Sequence, residues 1–76
     1  MNLPATVVDI RTPGVDVVPL ASGKWRVVSR SGALLGHVEP AGEGYRAMRF
    51  SVRERGFRML GEFRTATDAA DALRFG

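Results

Sequence analysis

The chain contains no cysteine, one histidine and no long apolar run. Without cysteine, neither a disulfide nor a thiolate metal site can stabilise it. Because the chain has no cysteine and only one histidine, most catalytic nucleophile–base pairs are excluded. We therefore expect no enzymatic activity and no cofactor. No segment approaches the ~20 apolar residues that a membrane helix needs, so we expect no membrane partner. Nothing in the first residues resembles a signal peptide, so we expect a cytoplasmic protein.

The histidine offers the nearest approach to a metal site. His37 and Glu39 share a strand face at i, i+2 spacing. Two ligands are too few for a structural or catalytic ion, and an exposed strand histidine is the commoner arrangement. The eight carboxylates are dispersed among arginines and indicate surface ion pairs. We therefore predict neither catalytic nor metal-binding residues.

Lysine is nearly absent, although basic residues outnumber acidic ones by 11 to 8. Ten of the basic residues are arginines, and Lys24 is the one lysine. Arginine forms bidentate hydrogen bonds to phosphate and to guanine, so an arginine-rich surface suits nucleic acid. Codon bias in a GC-rich genome also replaces lysine with arginine, and this second explanation stays open.

A chain of 76 residues has room for one domain with a modest core. Turn sequences with glycine recur along it and separate short runs of Val, Leu, Phe and Met. Such spacing predicts an antiparallel meander or small barrel. Pro19 disfavours a central position for the strand that contains it. The predicted strands are 6–11, 15–20, 24–29, 33–39, 45–53 and 57–64.

The spacing of apolar residues changes from that of a strand to that of a helix after residue 64. Thr65 and Asp68 have the spacing of a helix N-cap, in which the hydroxyl accepts a hydrogen bond from the amide three residues on. Ala66, Ala69, Ala70 and Leu73 then fall on one helical face. We predict an α+β fold over 1–76: a sheet across 24–64, one helix over 66–74, and an N-terminal segment, 1–20, that adds strands.

Alternation along the two longest strands predicts which sheet face lies under the helix. A slip of one residue would exchange the two faces. The predicted inward set is Met48, Phe50, Val52, Phe57, Met59 and Phe63. The predicted outward set is Tyr45, Arg49, Arg53, Arg58 and Arg64, joined by Lys24 and Arg26 if Trp25 and Val27 point inward.

Two segments resemble a known family. Residues 60–72 read LGEFRTATDAADA, and residues 23–25 read GKW. Both are similar to the ethylene-response-factor type of DNA-binding domain, and integrase arm-binding domains share its architecture. The resemblance covers about 16 residues. It implies three antiparallel strands on a helix, with the open sheet face in the DNA major groove and Trp25 as a DNA contact.

The chain departs from this family in two places. Asp16 and Val18 stand where the family's first strand has arginines. The segment from Trp25 to Leu60 is also too long and indicates an extra hairpin. These departures put the family's DNA contacts on the first strand in doubt.

Two functional hypotheses follow. The first is a nucleic-acid-binding module that contacts duplex DNA through Arg49, Arg53, Arg58 and Arg64, with Lys24, Trp25, Arg26 and Tyr45 beside them. The second is a protein-interaction module, an adaptor, inhibitor or homodimer, that uses Val28, Leu35 and Leu60 or an open strand edge. If residues 1–20 cover the outer sheet face, groove binding by that face is ruled out. An open basic face supports it.

Overall fold

The computed structural model describes Ile10 and residues 12–75, which form five strands and then one helix. The α+β class predicted from the sequence is confirmed. The predicted strand 6–11 falls mostly outside the described residues, and Ile10 is not in a strand. The elements are β1 (Val15–Pro19), β2 (Trp25–Ser29), β3 (Leu34–Ala41), β4 (Gly44–Ser51), β5 (Gly56–Phe63) and α1 (Ala66–Phe75).

The strands form one antiparallel sheet in the order β1-β2-β3-β4-β5. Short turns connect neighbours, and Gly42 supplies the positive φ of 59° that the turn between β3 and β4 requires. Pro19 ends the edge strand β1, where its missing amide hydrogen interrupts no central ladder. Residues 15–19 therefore extend the sheet at its edge and do not cross its face.

The helix packs on one face of the sheet, chiefly over β4 and β3. Its buried side chains are Ala66, Ala69, Ala70 and Leu73, which is the face that the sequence predicts. The strands beneath it contribute Val15, Val27, Val38 and Ala47. No helix within residues 12–75 is long and apolar enough to cross a membrane.

The predicted face assignment is wrong for β4 and for most of β5. The pairs Gly36–Arg49 and Val38–Ala47 lie on the helix side, whereas His37–Met48 and Phe50–Phe57 lie on the other side. We call that other side the outer face. Four residues of the predicted inward set, Met48, Phe50, Phe57 and Met59, are therefore on the outer face, and Val52 is exposed in the β4–β5 turn. The inward placement of Phe63 is correct, and Trp25 and Val27, whose side was left open, also lie on the helix side.

The reversal has two physical causes. An alanine-rich helix lies close to the sheet, so several of the fully buried strand positions beneath it hold small side chains or none, as at Gly36, Val38 and Ala47. In addition, β5 carries an extra residue, Leu60, where its register with β4 shifts between Ala47 and Met48. Such a bulge reverses the alternation of side chains along the strand. The prediction assumed that the larger apolar side chains of each strand face the helix, and this assumption fails for β4 and for most of β5.

Thr65 caps the helix as predicted, because its Oγ1 accepts a hydrogen bond of 3.0 Å from the Asp68 amide. Thr65→Ala leaves that amide without its partner, and we expect the free energy of unfolding to fall by about 1 kcal/mol. Thr65→Ser keeps the hydroxyl and is the matched control. Urea denaturation measures both variants, and equal midpoints for wild type and Thr65→Ala would contradict the cap.

Candidate nucleic-acid interface

The two aromatic residues of the predicted site lie on the helix side of the sheet. The rings of Trp25 and Tyr45 meet edge to face with centroids 5.8 Å apart. Both are partly buried against the core. The outward placement of Tyr45 is therefore wrong, and Trp25, the DNA contact implied by the family resemblance, is not on the open face.

Arg49 also lies on the helix side and connects the sheet to α1, so its predicted outward placement is wrong. Its Nη2 donates a hydrogen bond of 3.3 Å to the Leu73 carbonyl, in the last turn of the helix. A cation there is favourable, because the helix dipole places partial negative charge at that end. Sequence alternation could not show this contact, since it joins residues 24 positions apart.

Arg49 has Arg58 as its direct cross-strand partner, so Arg58 also occupies the helix-side register. Like charges in directly opposite positions of a sheet destabilise it. Arg58 is largely exposed and has a carboxylate at 3.7 Å, Oε2 of Glu54. This exposed pair relieves little of the repulsion between the two guanidinium groups.

Two more arginines lie in the turn between β4 and β5. Arg53 and Arg55 are exposed, and neither forms an ion pair within the described part of the chain. Arg55 adopts the left-handed backbone conformation, with φ at 56°, which is uncommon for a residue with a side chain. The turn is held by hydrogen bonds from the Glu54 amide to Ser51 Oγ and from the Arg55 amide to the Val52 carbonyl.

We call Arg49, Arg53, Arg55 and Arg58 the arginine cluster. It places four positive charges within ten residues, beside one carboxylate, Glu54. The residues predicted from the sequence did not include Arg55. The signal was present in the density of arginine around the β4–β5 turn.

The other predicted site residues lie elsewhere. Arg64 is exposed after the far end of β5, about 26 Å along the strand from the turn. Arg26 is on the outer face, opposite His37. Lys24 Nζ reaches Glu39 Oε1 at 3.5 Å. The structure therefore brings Arg49, Arg53 and Arg58 to one end of the sheet and separates them from the remaining predicted contacts.

A network of charged side chains occupies the outer face. Arg46 donates hydrogen bonds of 3.1 Å to both Glu39 and Glu62, and His37 Nε2 lies 3.0 Å from Glu39 Oε1. Burial raises the pKa of Glu39, but hydrogen bonds from His37 and Arg46 and the charge of Lys24 outweigh that effect, so this pKa lies below its ordinary value. Glu62 and Glu39 in turn raise the pKa of Arg46.

The outer face is therefore nearly balanced in charge. It carries four basic residues, Lys24, Arg26, Arg30 and Arg46, and three acidic ones, Asp16, Glu39 and Glu62. Within residues 12–75 we find no group of three side chains that could hold a metal ion. The pairing of His37 with Glu39 serves the ion-pair network.

Apolar side chains fill the rest of this face. We call them the outer-face patch: Val18, Val28, Leu34, Met48, Phe50, Phe57 and Met59. Phe57 is 45% exposed and Met59 55% exposed. Of the three apolar residues predicted here, Val28 is present, Leu60 is exposed at the bulge, and Leu35 instead packs against the helix-side core. The patch is thus larger than the sequence indicates and differs in composition.

Comparison of the chain with protein-family models, with curated proteins and with solved structures finds no match.

Proposed function

We propose that this domain binds nucleic acid, and duplex DNA in particular, through the arginine cluster at the turn between β4 and β5. The observation that supports this is the direct opposition of Arg49 and Arg58, with Arg53 and Arg55 next to them. Four cations around one carboxylate repel each other in the free domain. An anion bound between them removes that repulsion, so the arrangement favours a polyanionic partner.

The geometry of a β-hairpin favours duplex DNA among polyanions. A two-stranded β-ribbon fits the major groove, which is about 12 Å wide. Arginine side chains on such a ribbon reach phosphates on the groove walls and the acceptor edge of guanine on its floor. In this proposal Arg53 and Arg55 contact the DNA first, since they are exposed in the turn. Arg58 follows along β5, and Arg49 holds the helix end.

Fluorescence anisotropy with labelled duplex DNA, single-stranded DNA and RNA, each at several salt concentrations, tests this proposal. If three arginines neutralise phosphates, log K falls with log salt at a slope of about −3. Arg53→Gln or Arg55→Gln should reduce that slope by about one. Arg64→Gln is the matched control, because it removes the same exposed charge from the far end of β5.

Three results would contradict the proposal in whole or in part. Binding weaker than about 100 μM to every probe at low salt removes nucleic acid as the ligand. An Arg64→Gln effect equal to that of Arg53→Gln means that diffuse positive charge binds, and not the arginine cluster. If single-stranded DNA or RNA binds more tightly than duplex DNA, that nucleic acid is the partner instead.

Protein interaction is the second candidate function, and the outer-face patch favours it. A nearly charge-balanced apolar face does not attract a polyanion. It is typical of a surface that another protein covers.

A further inference from the structure

The large apolar side chains of this domain lie mostly outside its core. The largest fully buried side chains are Leu73, Val27 and Val38, and the rest of the helix-side core is mainly alanine. Phenylalanine and methionine are concentrated on the outer face. No described element lies over that face, because β1 pairs at the edge of the sheet and α1 packs on the opposite side. The domain thus leaves exposed much of the apolar surface that could stabilise it.

Aromatic rings at the centre of the outer-face patch already pack on one another. The rings of Phe50 and Phe57 have centroids 5.3 Å apart, and the His37 ring lies 4.7 Å from Phe57 on the other side. Rings that already pack on one another lose little side-chain conformational entropy when a partner covers them. Aromatic and methionine side chains are also the types enriched at the centre of protein interfaces.

We propose that the occupant of this patch is a second copy of the chain, packed face to face. The charge distribution argues for a self-contact. The outer face carries four basic and three acidic residues, so little of the chain's charge of +3 opposes contact between two copies through this face. If the two-fold axis runs along the strands near β4, the Arg46, Glu39 and Glu62 network of one copy faces the same mixed charges of the other.

The available area fits a weak, specific dimer. Five strands about 4.8 Å apart and up to eight residues long span at most about 600 Å². Two copies then bury at most about 1,200 Å², the lower limit of the standard size for specific interfaces. The product is a ten-stranded sandwich with the sheets about 10 Å apart and both helices outside. We expect a dissociation constant of about 1–100 μM.

Sedimentation from about 1 μM to 1 mM tests the dimer with full-length protein. Met59→Glu places a charge in the patch at a side chain that is more than half exposed, so the monomer should still fold. We expect its dissociation constant to rise by about 30-fold or more, as for a buried position near an interface centre. Val52→Glu is the matched control, since Val52 is exposed in the β4–β5 turn and outside the patch.

Circular dichroism of each variant separates lost dimerisation from lost folding. If Met59→Glu unfolds, Phe57→Lys replaces it, and amide shift changes on dilution locate the wild-type contact independently. A wild-type monomer at 1 mM overturns the proposal, whether residues 1–9 or another protein covers the patch. A dimer that Met59→Glu and Phe57→Lys leave intact overturns it too. None of these results bears on nucleic-acid binding by the arginine cluster.

Discussion

Gly36→Ala is expected to be the most damaging single-methyl change in this domain, with a loss of about 3 kcal/mol in unfolding free energy. Gly36 is buried in β3 beneath the helix. A Cβ there would collide with the backbone carbonyl of Met48 and lie 2.8 Å from Leu73 Cδ2 and 3.1 Å from Arg49 Cα. Two of these atoms belong to the backbone of β4, so relief requires β3 and β4 to separate. A domain of this size has little stability in reserve.

Gly56→Ala is the matched control for that change. A Cβ at Gly56 meets only the Glu54 carbonyl, at 4.0 Å, which is an ordinary contact. Urea denaturation of both variants, at one protein concentration because self-association would add stability, gives the comparison. Equal midpoints for the two variants would contradict the close approach of β4 and the helix to Gly36.

Leu73→Ala is expected to cost about 2–5 kcal/mol, because it opens a cavity at the largest fully buried side chain. Leu73 is 1% exposed and fills the space between the helix and β3, where its Cδ2 approaches Gly36. Few neighbours can move into the gap, since alanines surround it on the helix and the sheet is paired on both sides.

Phe75→Ala removes a larger side chain two residues later and serves as the control. Phe75 is 73% exposed, and its ring lies 4.3 Å from the guanidinium carbon of Arg74. Loss of that exposed contact should cost no more than about 1 kcal/mol. Thermal or urea denaturation should therefore rank Leu73→Ala well below Phe75→Ala in stability. The reverse order would mean that α1 packs on the sheet through a different face from the one that contains Leu73.

Local chemistry predicted the elements of this fold well. Glycine-containing turns placed β1 to β5 within a few residues of their observed bounds, and the cap at Thr65 with the alanine face placed α1. These signals are short-range: a turn needs a residue that tolerates positive φ, and a helix needs its first amides bonded. Residues within four positions of one another carry that information.

The candidate site was predicted only in part. The density of arginine at 49–58 was visible in the sequence, and three members of the arginine cluster were selected from it. Their surroundings were not visible. The contact of Arg49 with the Leu73 carbonyl and the opposition of Arg49 to Arg58 depend on how helix and strands meet.

The sequence alone determined the order of strands and helix, the turns between them and the apolar face of α1. Only the tertiary structure decided which side of the sheet that face covers. Both sides of β4 are apolar, with Tyr45 and Ala47 on one and Met48 and Phe50 on the other, so alternation had two solutions. The close approach of an alanine-rich helix admits Ala47 and Gly36 beneath it and leaves Met48 and Phe50 on the outer face.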